Sequence, residues 1–454
     1  MNKKTFMLVS FLCSVLAITS FGNAAMAEFE QAKKTVSHER SVTSPQPARY
    51  ETSSSCSLCH EKIYEQFSES MHAKSFENPA FRTVFFEKLL PLSQKDKSLS
   101  DEAAACIGCH SPVTFARTKG NISSENEVDP DASGVECDIC HTITGFKGES
   151  PGGGNYVSMP GQLKLGPFES QSDWHRGYSA LQTKSEICAI CHNRVNRYGL
   201  EIITTFSEWQ KSSYAQKGIQ CQDCHMNIHG FLTGGKAVYE SGRASWNSLT
   251  NSPVRAKLYT HRFPGAHSAT QVKGALRLDI TVEKATFLTG NEVEINVMID
   301  NSKSGHKMPT GSAELRLLIL DLVVKSNETV IPIPASSIDD GMHDVSGMGK
   351  FDQDILRDDI PIGKRLYRAI CIDKEGRQTL YSFDASEIVF DNRLMANEIR
   401  KETFQFKVPK DMGNKLSFIA KLYYLRYPTS FADVLNIPKV KPVLLAMAHK
   451  NLDM

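Results

Sequence analysis

Five times along this chain a histidine directly follows the second of two cysteines spaced three apart. The triplets are Cys56-Ser-Leu-Cys59-His60, Cys106-Ile-Gly-Cys109-His110, Cys137-Asp-Ile-Cys140-His141, Cys188-Ala-Ile-Cys191-His192 and Cys221-Gln-Asp-Cys224-His225. With 12 Cys and 14 His among 454 residues, chance would supply roughly 0.01 such triplets. Cysteines three positions apart lie on one side of a helical turn, where both sulfurs reach one planar group. That spacing suits thioether bonds to the two vinyl groups of a haem, with the adjacent imidazole offered to the iron from the proximal face. Disulfides are the usual use of paired cysteines in an exported chain, but they need no histidine at this offset. Structural zinc takes ligands in sets of four, not five independent triplets. The expected cofactor is therefore five covalent c-type haems.

The first cysteines stand at 56, 106, 137, 188 and 221, in steps of 50, 31, 51 and 33. The alternation marks an internal repeat. CIGCHSPV matches CAICHNRV, and GVECDICH matches GIQCQDCH about thirty residues further on in each case. Motifs two and three read as one closely packed unit and motifs four and five as another, with Gly134 and Gly218 expected to let backbone approach a porphyrin.

The run from Cys56 through Tyr64, Phe67 and His72 (CSLCHEKIYEQFSESMHA), like the later GIQCQDCHM, resembles multihaem c-type cytochromes related to hydroxylamine oxidoreductase. The resemblance covers roughly residues 50–270. It implies either a respiratory electron carrier or a haem enzyme of nitrogen or sulfur chemistry. Pentahaem nitrite reductases of this larger group carry Lys in place of one proximal His. No C-x-x-C-K occurs here, which counts against that activity.

Distal ligands separate the two readings, because an iron held by His on both sides passes electrons while an open sixth position binds substrate. His72, twelve residues after the first motif, stands where the resemblance implies a distal ligand. His175 in SDWHRGY and the pair His261 and His267 in HRFPGAH are the next candidates; Pro264-Gly265 would turn the chain between that pair. His306, in the turn NSKSGHKMPTG, is the fifth. Met308 beside it and His229, four residues after His225, remain alternatives for that place. His38 and His449 read as solvated.

The chain opens MNKKTFMLVSFLCSVLAITSFGNAAMA, two lysines, an apolar stretch and small residues, which reads as a secretory signal peptide cleaved after Ala27. Residues 28–55 read as a Ser/Pro-rich tether. Losing Lys3 and Lys4 with the leader takes the formal charge from +1 to −1, a balance that argues against nucleic-acid binding. No later stretch is apolar enough to span a bilayer. From 56 to about 270 the apolar periodicity is poor, as expected where porphyrins supply the core. After 270, seven β-rich runs such as EVEINVMID and LSFIAKLYYL alternate with turns, and Cys371 sits in one of them as a buried thiol.

The fold class expected is α+β and multidomain: a haem-packed, mainly helical and loop-rich domain at 56–270, followed by a β-sandwich at 271–454. The function expected is electron transfer outside the cytoplasm, periplasmic or extracellular. Redox partner proteins would be other cytochromes or a membrane quinol-oxidising complex, and oligomeric state is left open. A haem oxidoreductase acting on a small nitrogen or sulfur compound is the first alternative, and a filament-forming or complex-docking cytochrome the second. A phosphate-loop look-alike at 230–236 lacks its Ser/Thr, and a calcium-loop look-alike at 129–140 lacks its final Glu. The Gly152–Gly154 run reads as a surface loop.

Overall fold

The computed structural model describes residues 49–169, 175, 177–246, 252–283, 287–333 and 364–453. The expected signal peptide and most of the tether lie outside them. Residues 50–454 form one compact unit. It mixes helices with several small sheets.

All five motifs sit on helices: Ser53–Ser68, Ser100–His110, Cys137–Thr142, Ser185–His192 and Cys221–His225. Most stop at or just after the histidine. The first runs on, but its backbone leaves helical geometry at His60 (φ −112°, ψ 42°). The bend frees the Cys59 carbonyl, which accepts the Trp246 N–H at 2.8 Å.

Helices this short are unstable alone, and here they cap one another in pairs. The Ser53 N–H donates to Glu136 Oε2 at 2.8 Å and the Cys137 N–H donates to Ser53 Oγ at 2.9 Å, so the first and third motif helices begin against each other. The fourth and fifth repeat the arrangement: the Ser185 N–H donates to Gln220 Oε1 at 2.9 Å and the Cys221 N–H to Ser185 Oγ at 3.0 Å. A serine three residues before one motif and a Glu or Gln just before the other carry both junctions. Each such cap is worth about 1 kcal/mol.

After residue 270 strands dominate. One sheet orders Ile399–Lys407, Glu292–Asp300 and Arg277–Val282, antiparallel throughout. Another orders Thr329–Ile331, Leu317–Ser326, Lys415–Leu425 and Val443–Asp453, with Arg365–Tyr367 also paired to Leu317–Ser326. Alternation along Lys415–Leu425 turns Leu416, Phe418, Ala420 and Leu422 inward. They share one core with Val293, Ile295 and Val297 of the first sheet and Leu318, Leu320 and Val324 of the second. Val443–Asp453 is an edge strand with half its residues exposed, and its mixed face gave no strand signal in the sequence.

The strand-rich part is bonded to the motif-bearing part at several points. Asn196 Nδ2 donates to the Ser382 and Ala385 carbonyls at 2.9 and 2.7 Å, Tyr214 Oη to the Ser302 carbonyl at 2.6 Å, and Arg393 pairs with Glu208 at 3.1 Å. Ile202, Cys371 and Ala385 bury one another across this junction, and Cys371 is the buried thiol its strand implied.

Candidate haem-binding cavity

One continuous cavity of about 1910 Å³ runs through the unit, lined by all ten motif cysteines and all five motif histidines. A pocket for one small molecule occupies roughly 300–1,000 Å³, so this space is on the scale of several large planar groups.

Four of the five motif histidines face a second imidazole across the cavity. His60 lies 6.3 Å from His175 between ring centroids, His141 6.3 Å from His261, His225 6.3 Å from His306, and His192 6.1 Å from His72. With a metal–nitrogen bond of about 2.0–2.1 Å, two imidazoles on opposite sides of one iron have ring centroids roughly 6.3 Å apart. The donor set therefore fits the group that the sequence implies. The histidines meet in twos, and among the described residues no three His, Cys, Asp or Glu side chains gather as a zinc site would require.

Backbone carbonyls set the tautomers. Nδ1 of His60 lies 2.8 Å from the Ala244 carbonyl, that of His110 3.0 Å from Ser75, that of His141 2.6 Å from Leu165, that of His261 3.1 Å from Tyr259 and that of His306 2.8 Å from Lys307. A carbonyl only accepts, so each Nδ1 carries the hydrogen and each Nε2 keeps its lone pair for a metal. Burial disfavours the charged form of several of these rings. It pushes His72 and His261 down to about 3 and His110 and His225 down to about 4, with neighbouring imidazoles adding to the effect.

His110 differs from the other four. The ring stacked on it, at 3.8 Å and 6° from parallel, is Phe81, and no described imidazole faces it. The side chain of His267 lies outside the described residues. His229 is exposed and stacks on Phe231 at 5.8 Å, away from the motif histidines, and Met308 is buried in the two-sheet core while touching the cavity. His449 is exposed on the edge strand.

The cysteines show which motifs are neighbours. The sulfurs of Cys56 and Cys137 are close neighbours, as are those of Cys109 and Cys191 and of Cys188 and Cys221. Motif one thus abuts three, two abuts four, and four abuts five. The pairing of four with five agrees with the repeat, whereas motif three caps against motif one. The partner of GVECDICH is the first motif, because Ser53 supplies the serine that Ser185 supplies in the second copy.

Gly134 acts differently from its expected role. A Cβ there would come 2.1 Å from the Ala73 carbonyl oxygen, so the glycine admits the backbone that carries His72, and the Val135 N–H donates to the His72 carbonyl at 3.0 Å. Gly218 serves a left-handed turn, φ 72°. The Gly152–Gly154 run is tied down rather than free: Gly153 and Gly154 donate to the Asn193 and Ile190 carbonyls at 2.8 and 2.7 Å, and Gly154 passes near Cys109.

Residues that the sequence did not single out include Glu102 and Arg194, a buried ion pair that joins the second motif helix to the residue pair after the fourth motif. Asp138, inside the third motif, is fully buried and pairs with Lys164. Ser53 and Ser185 each stand three residues before a motif, but the spacing alone does not name the distant Glu136 and Gln220 they cap against.

Residues 55–142 match the family of cytochrome c554 and c-prime. No curated protein matches the chain in sequence. The fold is similar to that of a penta-haem cytochrome c552 from Thermochromatium tepidum, with 20% identity and a TM-score of 0.62 over 90% of this chain and 100% of that one. The family match and the structural likeness support a multihaem c-type cytochrome. Among the described residues no helix is long and apolar enough to cross a membrane.

Proposed function

We propose that this chain is an exported electron carrier that binds five haems covalently through its ten motif cysteines, in an N-terminal haem domain followed by a C-terminal β-sandwich. The observation that carries the reading is the set of four facing imidazole pairs at 6.1–6.3 Å. His60, His141, His192 and His225 would be the proximal ligands of those four, with His175, His261, His72 and His306 as their distal partners. Bound there, the groups would supply one-electron redox chemistry. The protein's own part is to hold imidazoles by their Nδ1 hydrogens and to bring motif one beside three, two beside four and four beside five. Cys140 also lies within the electrostatic reach of Cys188 and Cys191, so the third and fourth motifs close the series. Redox proteins outside the cytoplasm are the partners this implies.

A second reading, a haem oxidoreductase of small nitrogen or sulfur compounds, rests on His110, which faces no imidazole among the described residues. Spin counting separates the two. The secreted protein should exceed its polypeptide mass by five haems, and a fully low-spin oxidised spectrum, unmoved by cyanide or nitrite, would show carrier chemistry with His267 or another group completing the fifth site. One high-spin equivalent with turnover of nitrite, hydroxylamine or sulfite would overturn the carrier reading.

A further inference from the structure

The strand-rich half contributes to the cavity wall a carboxylate that the proposed ligand set does not use. Glu314 lies in the turn before strand Leu317–Ser326, is 7% exposed, and lines the cavity. Its Oε2 is buried and makes no hydrogen bond. A carboxylate taken out of water with one oxygen left unpartnered is costly unless it can hold a proton.

The charges facing Glu314 come from several elements, and each cation is engaged elsewhere. Arg194, after the fourth motif, pairs with Glu102. Arg393, beyond strand Glu387–Asp391, pairs with Glu208 at 3.1 Å and Asp391 at 2.8 Å. Arg316 donates to the Arg426 carbonyl at 2.7 Å. The remaining titratable neighbour is the buried Cys371 thiol, itself held up by burial and by Glu314. Burial dominates at Glu314 and pushes its carboxyl up to about 7, with a hydrogen bond from its own backbone N–H and then the three arginines pulling the other way. Arg194 also acts on Cys106, Cys109 and His110, so Glu314 and the second motif share one electrostatic neighbourhood.

We propose that Glu314 is a proton-exchange site that makes electron transfer at the second motif proton-coupled. The inference rests on the carrier reading. When one electron arrives at the second motif from a reduced partner protein, Glu314 takes one proton from bulk water. One O–H bond of a hydronium ion in bulk water breaks as one forms at the carboxylate, leaving a water molecule, and the proton returns to water when the electron leaves. The cause is Coulombic: added negative charge in a poorly screened interior raises the proton affinity of a nearby carboxylate. A carboxyl with an ordinary affinity would stay ionised throughout and could not respond.

The test is an equilibrium redox titration of the full-length, haem-loaded protein from pH 5.5 to 8.5, on wild type, Glu314→Gln and Glu314→Asp. One midpoint of the wild type should fall as pH rises through neutrality, approaching for full coupling a tenfold change in the reduction equilibrium per pH unit, about 59 mV for one electron. Glu314→Gln should flatten that midpoint while leaving the spin count unchanged, and Glu314→Asp should restore part of the slope. Midpoints independent of pH in the wild type, or a slope retained in Glu314→Gln, overturn the proposal and leave the carrier reading standing. A protein that shows no reversible reduction overturns the carrier reading and this proposal with it. Should Glu314→Gln fail to fold, the reduced-minus-oxidised infrared difference of the wild type decides. A protonated-carboxyl stretch gained on reduction and shifted in heavy water supports the proposal; its absence overturns it.

Discussion

His72 shows how little of a distal ligand is visible locally. It follows the first motif in the chain, yet its ring stands opposite His192 of the fourth, with Phe263 packed at 4.5 Å on its side. Replacing His72 with Ala should therefore convert one low-spin iron to high spin and admit cyanide at that site, with all five thioether pairs intact by mass; an unchanged spin count would break the assignment. Acid should act through the same rings. His72 and His261 sit near 3 and His110 near 4, against about 6.5 in an unfolded chain. Between those values the unfolded chain binds protons that the folded chain does not, so stability is lost as pH falls from about 6.5 towards 4 and levels off below about 3. Binding of the same Nε2 atoms to a metal would oppose protonation in the same direction, so denaturant midpoints of the loaded protein should fall as pH drops below about 6.5 and stay flat, as far as these groups are concerned, above neutrality.

At the scale of elements, short capped helices hold the ligands and single glycines set their approach. Gly134→Ala would drive a methyl group against the Ala73 carbonyl, and backbone cannot swing aside as a flexible side chain can. The expected cost is about 1–3 kcal/mol or more, and the displaced strand of chain is the one that bears His72. The variant should show part of the high-spin signal of His72→Ala, at the same iron, whereas a purely structural effect would lower stability and leave the spectrum alone. Here the limits of sequence reading become physical. The motifs were legible because attachment chemistry needs cysteine and histidine within one helical turn. The capping serines were not, since their partners lie 83 and 35 residues away. For the same reason the internal repeat joined motif three to motif two, when Ser53 and Glu136 join it to motif one. Glu314 had no signal at all, because an isolated Glu before a strand reads as surface until the cavity beside it is known.

For the molecule as a whole, the question is whether the two halves depend on each other. The shared core of the two larger sheets draws its buried members from Val272 onward, so it is complete without the motif helices. Alternating strands such as Glu292–Asp300, Leu317–Ser326 and Lys415–Leu425 carry their own apolar faces, which is why most of them could be read from period-two patterning. The junction is different. Cys371 and Ala385 bury themselves against Ile202, Arg393 pairs with Glu208, and the turn bearing His306 reaches across to His225. A fragment of residues 271–454, expressed in a cytoplasm without haem attachment, should therefore fold as a β-rich unit with one cooperative unfolding transition by circular dichroism. It should also show a reactive Cys371, because the face that buries this thiol has been removed. A disordered fragment would mean that the sheets need the loaded cavity to close. A folded fragment with Cys371 still protected would mean that the sheets cover their own junction, and that the contacts at Ile202 and Glu208 serve to position His306 and Glu314 rather than to hold the fold.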